Sequence, residues 1–144
     1  MPRSYASTTA SAGPDTVWGF LRDFNAVPQY VEAISSSEML EGKPADLVGA
    51  ERKLVLADGS LVRERLVALD DVQRQYTYHL LEGPFPFTAY YSTIAVKPVS
   101  SDNASFIEWW STYDCAAADV TAMDDLLAGT LYRGGLENLR KRFA

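Results

Sequence analysis

Between residues 34 and 115 the chain alternates short apolar stretches with separators of turn composition, and this rhythm limits what it can fold into more than any other feature. The predicted strands are 34–41, 49–56, 61–69, 74–81, 87–98 and 104–115, parted by EGKPAD, ADG, DDV, EGPFP and SSDN. Clusters of Gly, Pro, Asn, Asp and Ser end strands because they supply turn conformations that β-branched and aromatic residues resist. Separators this short join antiparallel neighbours, since a parallel crossover needs about a dozen residues or more. Upstream, residues 4–12 predict one further strand. Gly13-Pro14-Asp15 then opens a helix with Val17, Trp18, Leu21 and Phe24 at helical spacing, and a second short helix is expected over 27–33. Downstream, Asp119 is expected to cap a long closing helix, VTAMDDLLAGTLYRGGLENLRKRF, with Met123, Leu127, Leu131, Leu136 and Leu139 near one side. The element order predicts a single α+β domain over residues 1–144: a seven-stranded antiparallel sheet wrapped around the long C-terminal helix, with two short helices after strand 1.

The hairpin GAERKLVLADGSLVRERL, residues 49–66, carries charge among its aliphatics, so its register decides which charges face inward. A slip of one residue would turn every side chain to the other face. A two-residue loop, Asp58-Gly59, would set Arg52 opposite Arg65, and like charges directly opposite are unfavourable. A three-residue loop, Ala57-Asp58-Gly59, with Gly59 in the left-handed position, pairs Arg52 with Glu64, Leu54 with Val62 and Ala50 with Leu66. One face then carries Ala50, Arg52, Leu54, Leu56, Val62, Glu64, Leu66 and Ala68. The other bears Glu51, Lys53, Val55, Ala57, Leu61, Arg63, Arg65 and Val67, a mixture suited to water.

An inward ion pair needs a reason, because desolvating two charges costs several kcal/mol that their attraction often no more than offsets. One reading makes Arg52 and Glu64 a partly wet pair that fixes strand register. The other makes them the polar equipment of an internal hydrophobic cavity. Neighbouring strands offer a lining for it: Tyr76, Tyr78 and Leu80, then Tyr90, Ser92, Ile94 and Val96, then Ile107, Trp109, Ser111 and Tyr113. Mostly apolar walls with a few convergent polar groups are the usual make-up of small-molecule sites, although each aromatic alone also reads as core.

Charge and composition narrow the alternatives. With 13 Lys and Arg against 19 Asp and Glu the net charge is −6, and the only locally basic run is LRKRF, so nucleic-acid binding is not expected. No segment has the apolar length of a membrane span and the N-terminal MPRSYASTTASAGP has no apolar core of signal type, so no membrane partner and a cytoplasmic location are expected. The lone Cys115 has no partner for an internal disulfide and no conspicuous histidine to activate it. His79 has the parity opposite to Tyr78 and Leu80 and reads as outward-facing. No metal, no redox cofactor and no phosphate loop are read from the sequence.

The segments VWGFLRDF, VGAERKL, LVRERL with its following LDD, RQYTYHLLEGPFPF, YYSTIAVKPV, FIEWWSTYD and YRGGLENLRKRF together resemble the SRPBCC superfamily, the START-like helix-grip fold of the birch-pollen allergen. Its polyketide cyclase/dehydratase branch is the more similar part, and the resemblance runs over nearly the whole chain. It implies a sheet gripping the C-terminal helix with a hydrophobic cavity between them. In lachrymatory factor synthase-like proteins an Arg of a VGxxR segment and a Glu of the next strand are implicated in catalysis, and those positions match Arg52 and Glu64. In the abscisic-acid receptors the corresponding loops are a gate and a latch, which places a gate at Asp58 and Gly59 and a latch at Gly83, Pro84 and Phe85. The chain lacks the receptors' gate sequence and their His-Arg-Leu latch, and at AVPQYVEA it lacks a Trp-then-Pro pattern common in the branch, so abscisic-acid sensing is not expected.

The chemistry expected of such a cavity is proton transfer on a small hydrophobic molecule: cyclisation, dehydration or isomerisation. Glu64 would be the acid/base, its proton affinity raised by desolvation and lowered by Arg52, while Arg52 would hold a developing oxyanion. Tyr78, Tyr90 or Tyr113 would donate to a substrate carbonyl. Leu54, Leu56, Val62, Leu66, Ser92 and Trp109 of the sheet, with Leu127 and Leu131 of the helix, are the other expected ligand contacts. The competing reading is a carrier or sensor in which Arg52 anchors a ligand carboxylate or carbonyl and Glu64 only balances charge. A partner-binding module using Leu61, Val55 and Val67 of the outer face ranks below both, because charge interrupts that surface.

Overall fold

The structure is a computed structural model and describes residues 1–144. Seven strands, β1 (Arg3–Ala10), β2 (Ile34–Met39), β3 (Glu51–Leu56), β4 (Leu61–Asp70), β5 (Gln75–Glu82), β6 (Ala89–Val99) and β7 (Ala104–Asp114), form one sheet. Its order is β1-β7-β6-β5-β4-β3-β2, and every neighbouring pair is antiparallel. Between β1 and β2 lie α1 (Pro14–Leu21) and a 3-10 helix (Phe24–Gln29). After β7 come α2 (Val120–Leu126), a π-helical segment (Leu127–Tyr132) and α3 (Arg133–Arg142), together one long C-terminal helix. This is the α+β helix-grip arrangement that the element order and the resemblance both predict. No helix is long and apolar enough to cross a membrane.

The β3–β4 hairpin has the three-residue loop. The Leu56 N–H donates to the Ser60 carbonyl at 2.8 Å, Gly59 takes the left-handed conformation at φ 88°, and Arg52 faces Glu64 while Leu54 faces Val62. Along β4 the inward alternation stops after Leu66. A bulge in the β4–β5 pairing between Leu66 and Ala68 turns Ala68 out to solvent and brings Leu69 opposite Tyr76, so Ala68 does not share the inner face expected of it.

Other departures are local. The second short helix begins three residues earlier than expected, because the Asp23 carboxylate accepts the Asn25 N–H at 2.9 Å and starts the turn there. It is of 3-10 type and carries Pro28, which has no N–H to extend an α-helical ladder. Strand β2 stops at Met39, where a helical turn with Glu41 and Gly42 both at positive φ takes over. Asp119 holds the N-cap position of α2, but its side chain makes no capping bond, and a helical turn at Ala117–Asp119 already precedes it.

The π-helical segment explains how the closing helix keeps one apolar side. Leu127 and Leu136 are nine positions apart, which at about 100° per residue puts them on opposite sides of an uninterrupted α-helix. A π turn holds about one extra residue and rotates everything after it by roughly that angle. Leu127, Tyr132, Leu136 and Leu139 are therefore all buried against the sheet. Tyr132 stacks on Trp109 with ring centroids 4.4 Å apart.

Close approach at this contact needs Gly135. A Cβ added there would meet Trp109 Cζ3 at 3.0 Å and Val31 Cγ2 at 3.1 Å, whereas one at the exposed Gly134 meets nothing within 4 Å. Trp109 is fixed by stacking and by its indole hydrogen bonds, so overpacking at Gly135 outweighs the gain in helix propensity. Gly135→Ala is expected to destabilise the fold by about 1–3 kcal/mol, and Gly134→Ala to stabilise it by up to about 1 kcal/mol. Urea denaturation of the two variants reads both signs.

Candidate functional site

Inside the grip, between β3–β6, the 3-10 helix and the π-helical segment, lies a cavity of about 50 Å³. Fourteen of its sixteen lining residues are hydrophobic, and the two others are Arg52 and Glu64. The volume is enough for a water or two at about 30 Å³ each and well below the roughly 300–1,000 Å³ of drug-sized sites. Burial is graded along the wall. Arg52, Leu54, Val62, Tyr78 and Trp109 are buried, whereas Leu56, Leu80, Phe85, Phe87 and Leu131 keep partial exposure and form the mouth. A ligand larger than a few atoms enters by displacing those mouth side chains.

The ion pair forms the polar end of the cavity. Arg52 is 1% exposed and Glu64 6%, because their strand positions point both side chains into the grip. Arg52 Nε and Nη2 donate to the same carboxylate oxygen, Glu64 Oε1, at 3.0 and 2.7 Å. Nη1 donates to the Phe24 carbonyl, which the 3-10 helix presents. The guanidinium carbon lies 3.7 Å from the centroid of the Phe24 ring and 4.9 Å from that of Tyr78, so aromatic rings flank the cation. No protein donor reaches Glu64 Oε2. Burial pushes the Glu64 carboxyl above its ordinary range, against the pull of Arg52. Burial opposes the charge on Arg52 most strongly of any single effect, but Glu64 together with Tyr76, Tyr78 and Tyr30 outweighs it, and the guanidinium holds its proton more tightly than usual.

Beside the pair runs a hydroxyl network. The Trp109 indole N–H donates to Ser92 Oγ at 3.0 Å and to the Tyr78 hydroxyl oxygen at 3.3 Å. The Tyr90 and Tyr132 hydroxyls bond each other, and Tyr132 also bonds Ser92 Oγ at 3.2 Å. Burial raises Tyr78 and Tyr90 well above the usual phenol range and pushes Tyr132 up to about 12, so all three keep their protons. Tyr78 receives the indole bond as an acceptor, which leaves its own O–H to point elsewhere.

A protein-family model described as "Polyketide cyclase / dehydrase and lipid transport" matches residues 1–144. The chain belongs to that family. Among solved structures it is similar to the protein XoxI from Bacillus cereus, at 34% identity over 99% of this chain and 96% of that one, with a TM-score of 0.88. It is also similar to an uncharacterized protein from Bacillus thuringiensis, at 33% identity over 98% of each chain, with a TM-score of 0.86. BexL, a di-domain ARO/CYC of the BE-7585A biosynthetic pathway, shares the fold at a TM-score of 0.79 and 15% identity, over 98% of this chain and 46% of that one. No curated protein matches the chain.

Within this polyketide cyclase/dehydrase fold, the cavity brings together Arg52, Glu64, Leu54, Leu56, Val62, Tyr78, Tyr90, Trp109, Leu127 and Leu131 among the residues singled out from sequence. Three expected contacts do not reach it. Leu66 is wholly buried in the core behind the wall. Ser92 spends its hydroxyl on holding Trp109 and Tyr132. Tyr113 bonds Ser4 Oγ at 2.9 Å, with the Phe87 ring packed on it. Of the two loops, Phe85 lines the cavity, while Asp58, Gly59, Gly83 and Pro84 are exposed and do not. His79 stacks on Tyr91, at a centroid distance of 4.3 Å, away from the cavity.

Sequence reasoning missed Val27, Ile34, Phe87 and Leu126 as wall residues, and Tyr132 as a member of the hydroxyl network. Phe87 escaped because it precedes β6 and strand alternation does not apply to it. Tyr132 escaped because the π turn breaks helical spacing.

Proposed function

We propose that this protein binds a small hydrophobic carbonyl compound in the cavity and catalyses cofactor-free proton transfer on it, with Glu64 as the acid/base. The observation that carries the reading is the asymmetry of the Glu64 carboxylate. Arg52 holds Oε1 twice, and Oε2 has no protein donor at an otherwise apolar wall. Oε2 takes a proton from the carbon next to the carbonyl, and the electron pair of that C–H bond moves into the enolate. The Tyr78 O–H donates to the carbonyl oxygen, where negative charge develops in a poorly solvated site. Glu64 then gives up a proton: to the same carbon, after its carboxyl proton has traded with solvent, for exchange; to another carbon for isomerisation; or to a leaving hydroxyl for dehydration.

Arg52 has a different part here from the oxyanion anchor expected of it. Three of its nitrogens already donate within the protein and rings flank the cation, so it is a positioning residue that fixes Oε1 and makes the buried carboxylate tolerable. The test is α-carbon deuterium incorporation into cyclopentanone in D2O, followed by NMR. The protein is expected to accelerate exchange over buffer and over heat-denatured protein. No acceleration, with the ketone nevertheless bound, would make the protein a carrier.

A further inference from the structure

We infer that the cavity selects by charge, taking compact, uncharged, oxygen-bearing hydrocarbons and excluding carboxylates. The inference rests on the proposed cavity binding and goes further by naming the ligand class. The wall holds one cation and one anion, and they are spent on each other. An incoming carboxylate finds Nε and Nη2 of Arg52 already on Glu64 Oε1 and Nη1 on the Phe24 carbonyl. Phe24 and Tyr78 rings lie against the guanidinium. The polar atom left without a donor is Glu64 Oε2, which repels an anion. A carboxylate would thus be an uncompensated charge among apolar side chains, the costliest group to bury.

An uncharged ligand meets the opposite situation. A donor on it satisfies Oε2, and an acceptor on it takes the Tyr78 O–H. The carboxylate-binding alternative drawn from the sequence treats Arg52 as a free cation, and the structure shows it committed.

Isobutyramide and isobutyrate test this, having nearly the same shape and differing in charge. Trp109 lines the cavity, so its indole N–H resonance in a nitrogen-15 NMR titration reports binding at this site. At neutral pH, isobutyramide is expected to shift that resonance saturably and isobutyrate to bind roughly tenfold more weakly or worse, as an unpaired buried charge requires. In Glu64→Gln the Arg52 charge loses its counter-ion, and the order should reverse. Isobutyrate binding the unsubstituted protein as tightly as isobutyramide would overturn the charge selection and leave cavity binding intact. Failure of both compounds to move the resonance would overturn cavity binding itself. The comparison within the unsubstituted protein decides the matter even if the variant does not fold.

Discussion

Replacing Glu64 by Gln is expected to slow deuterium exchange into cyclopentanone by roughly a hundredfold or more, the usual contribution of a positioned general base. The amide is nearly the same size as the carboxyl, and its oxygen still accepts from Arg52 Nε and Nη2, which keeps the cavity shape although the guanidinium loses its counter-ion and the fold some stability. What it loses is a group able to take a proton at the free position. The Tyr90–Tyr132–Ser92 network does not involve this side chain and should be unchanged. A loss of threefold or less, with ketone affinity preserved, would mean that the carboxylate balances Arg52 and does no chemistry. Loss of rate accompanied by loss of the Trp109 indole resonance position would mean that the cavity had reorganised, and would not count in favour of a base.

Replacing Arg52 by Met is expected to have the largest effect on stability. It leaves a buried carboxylate without a partner, and the Phe24 carbonyl loses its donor. Breaking a buried pair by removing one member costs about 3–5 kcal/mol, which for a chain of this size lowers the melting temperature by roughly 10 °C at about 3 °C per kcal/mol. The companion variant Arg52→Met with Glu64→Leu should recover most of that loss, because an apolar pair of similar volume needs no desolvation. The penalty of the single variant should shrink as the pH falls, since a protonated Glu64 brings no charge into the core. Thermal melts of the three proteins at several pH values check both statements. A double variant no more stable than the single would show that the cost lies in packing against Phe24 and Tyr78 and not in the stranded charge.

The sheet was legible because its physics is local. Alternation marks strands, short Gly- and Asp-bearing separators mark antiparallel turns, and Gly59 with a like-charge clash at Arg52/Arg65 picks out the hairpin register that the structure has. That register is what places Arg52 and Glu64 together inside. The floor of the cavity was legible for the same reason, since Leu54, Val62, Tyr78 and Trp109 follow strand parity.

The residues that escaped come from places where parity or helical period lapses. Phe87 sits ahead of its strand, Val27 on a 3-10 turn with a proline in it, and Tyr132 within the π turn. Bonding commitments were equally out of reach. Nothing in the sequence says that Arg52 also donates to the Phe24 carbonyl or that Tyr113 turns its hydroxyl to Ser4, and these decide which groups stay free to act.

The central claim is that Glu64 is poised as a base by burial rather than held as a simple counter-ion. Its most direct test is a carbon-13 NMR titration of the Glu64 side-chain carboxyl in the unsubstituted protein. Burial raises this group in the folded state. Its contribution to stability is therefore full at pH below the ordinary glutamate value and is lost as the pH rises through the raised one. The account predicts a midpoint clearly above about 4.3, the value of an unperturbed glutamate. A midpoint at or below that value would show the attraction of Arg52 outweighing burial, and would make the pair a structural ion bridge in place of an acid/base site.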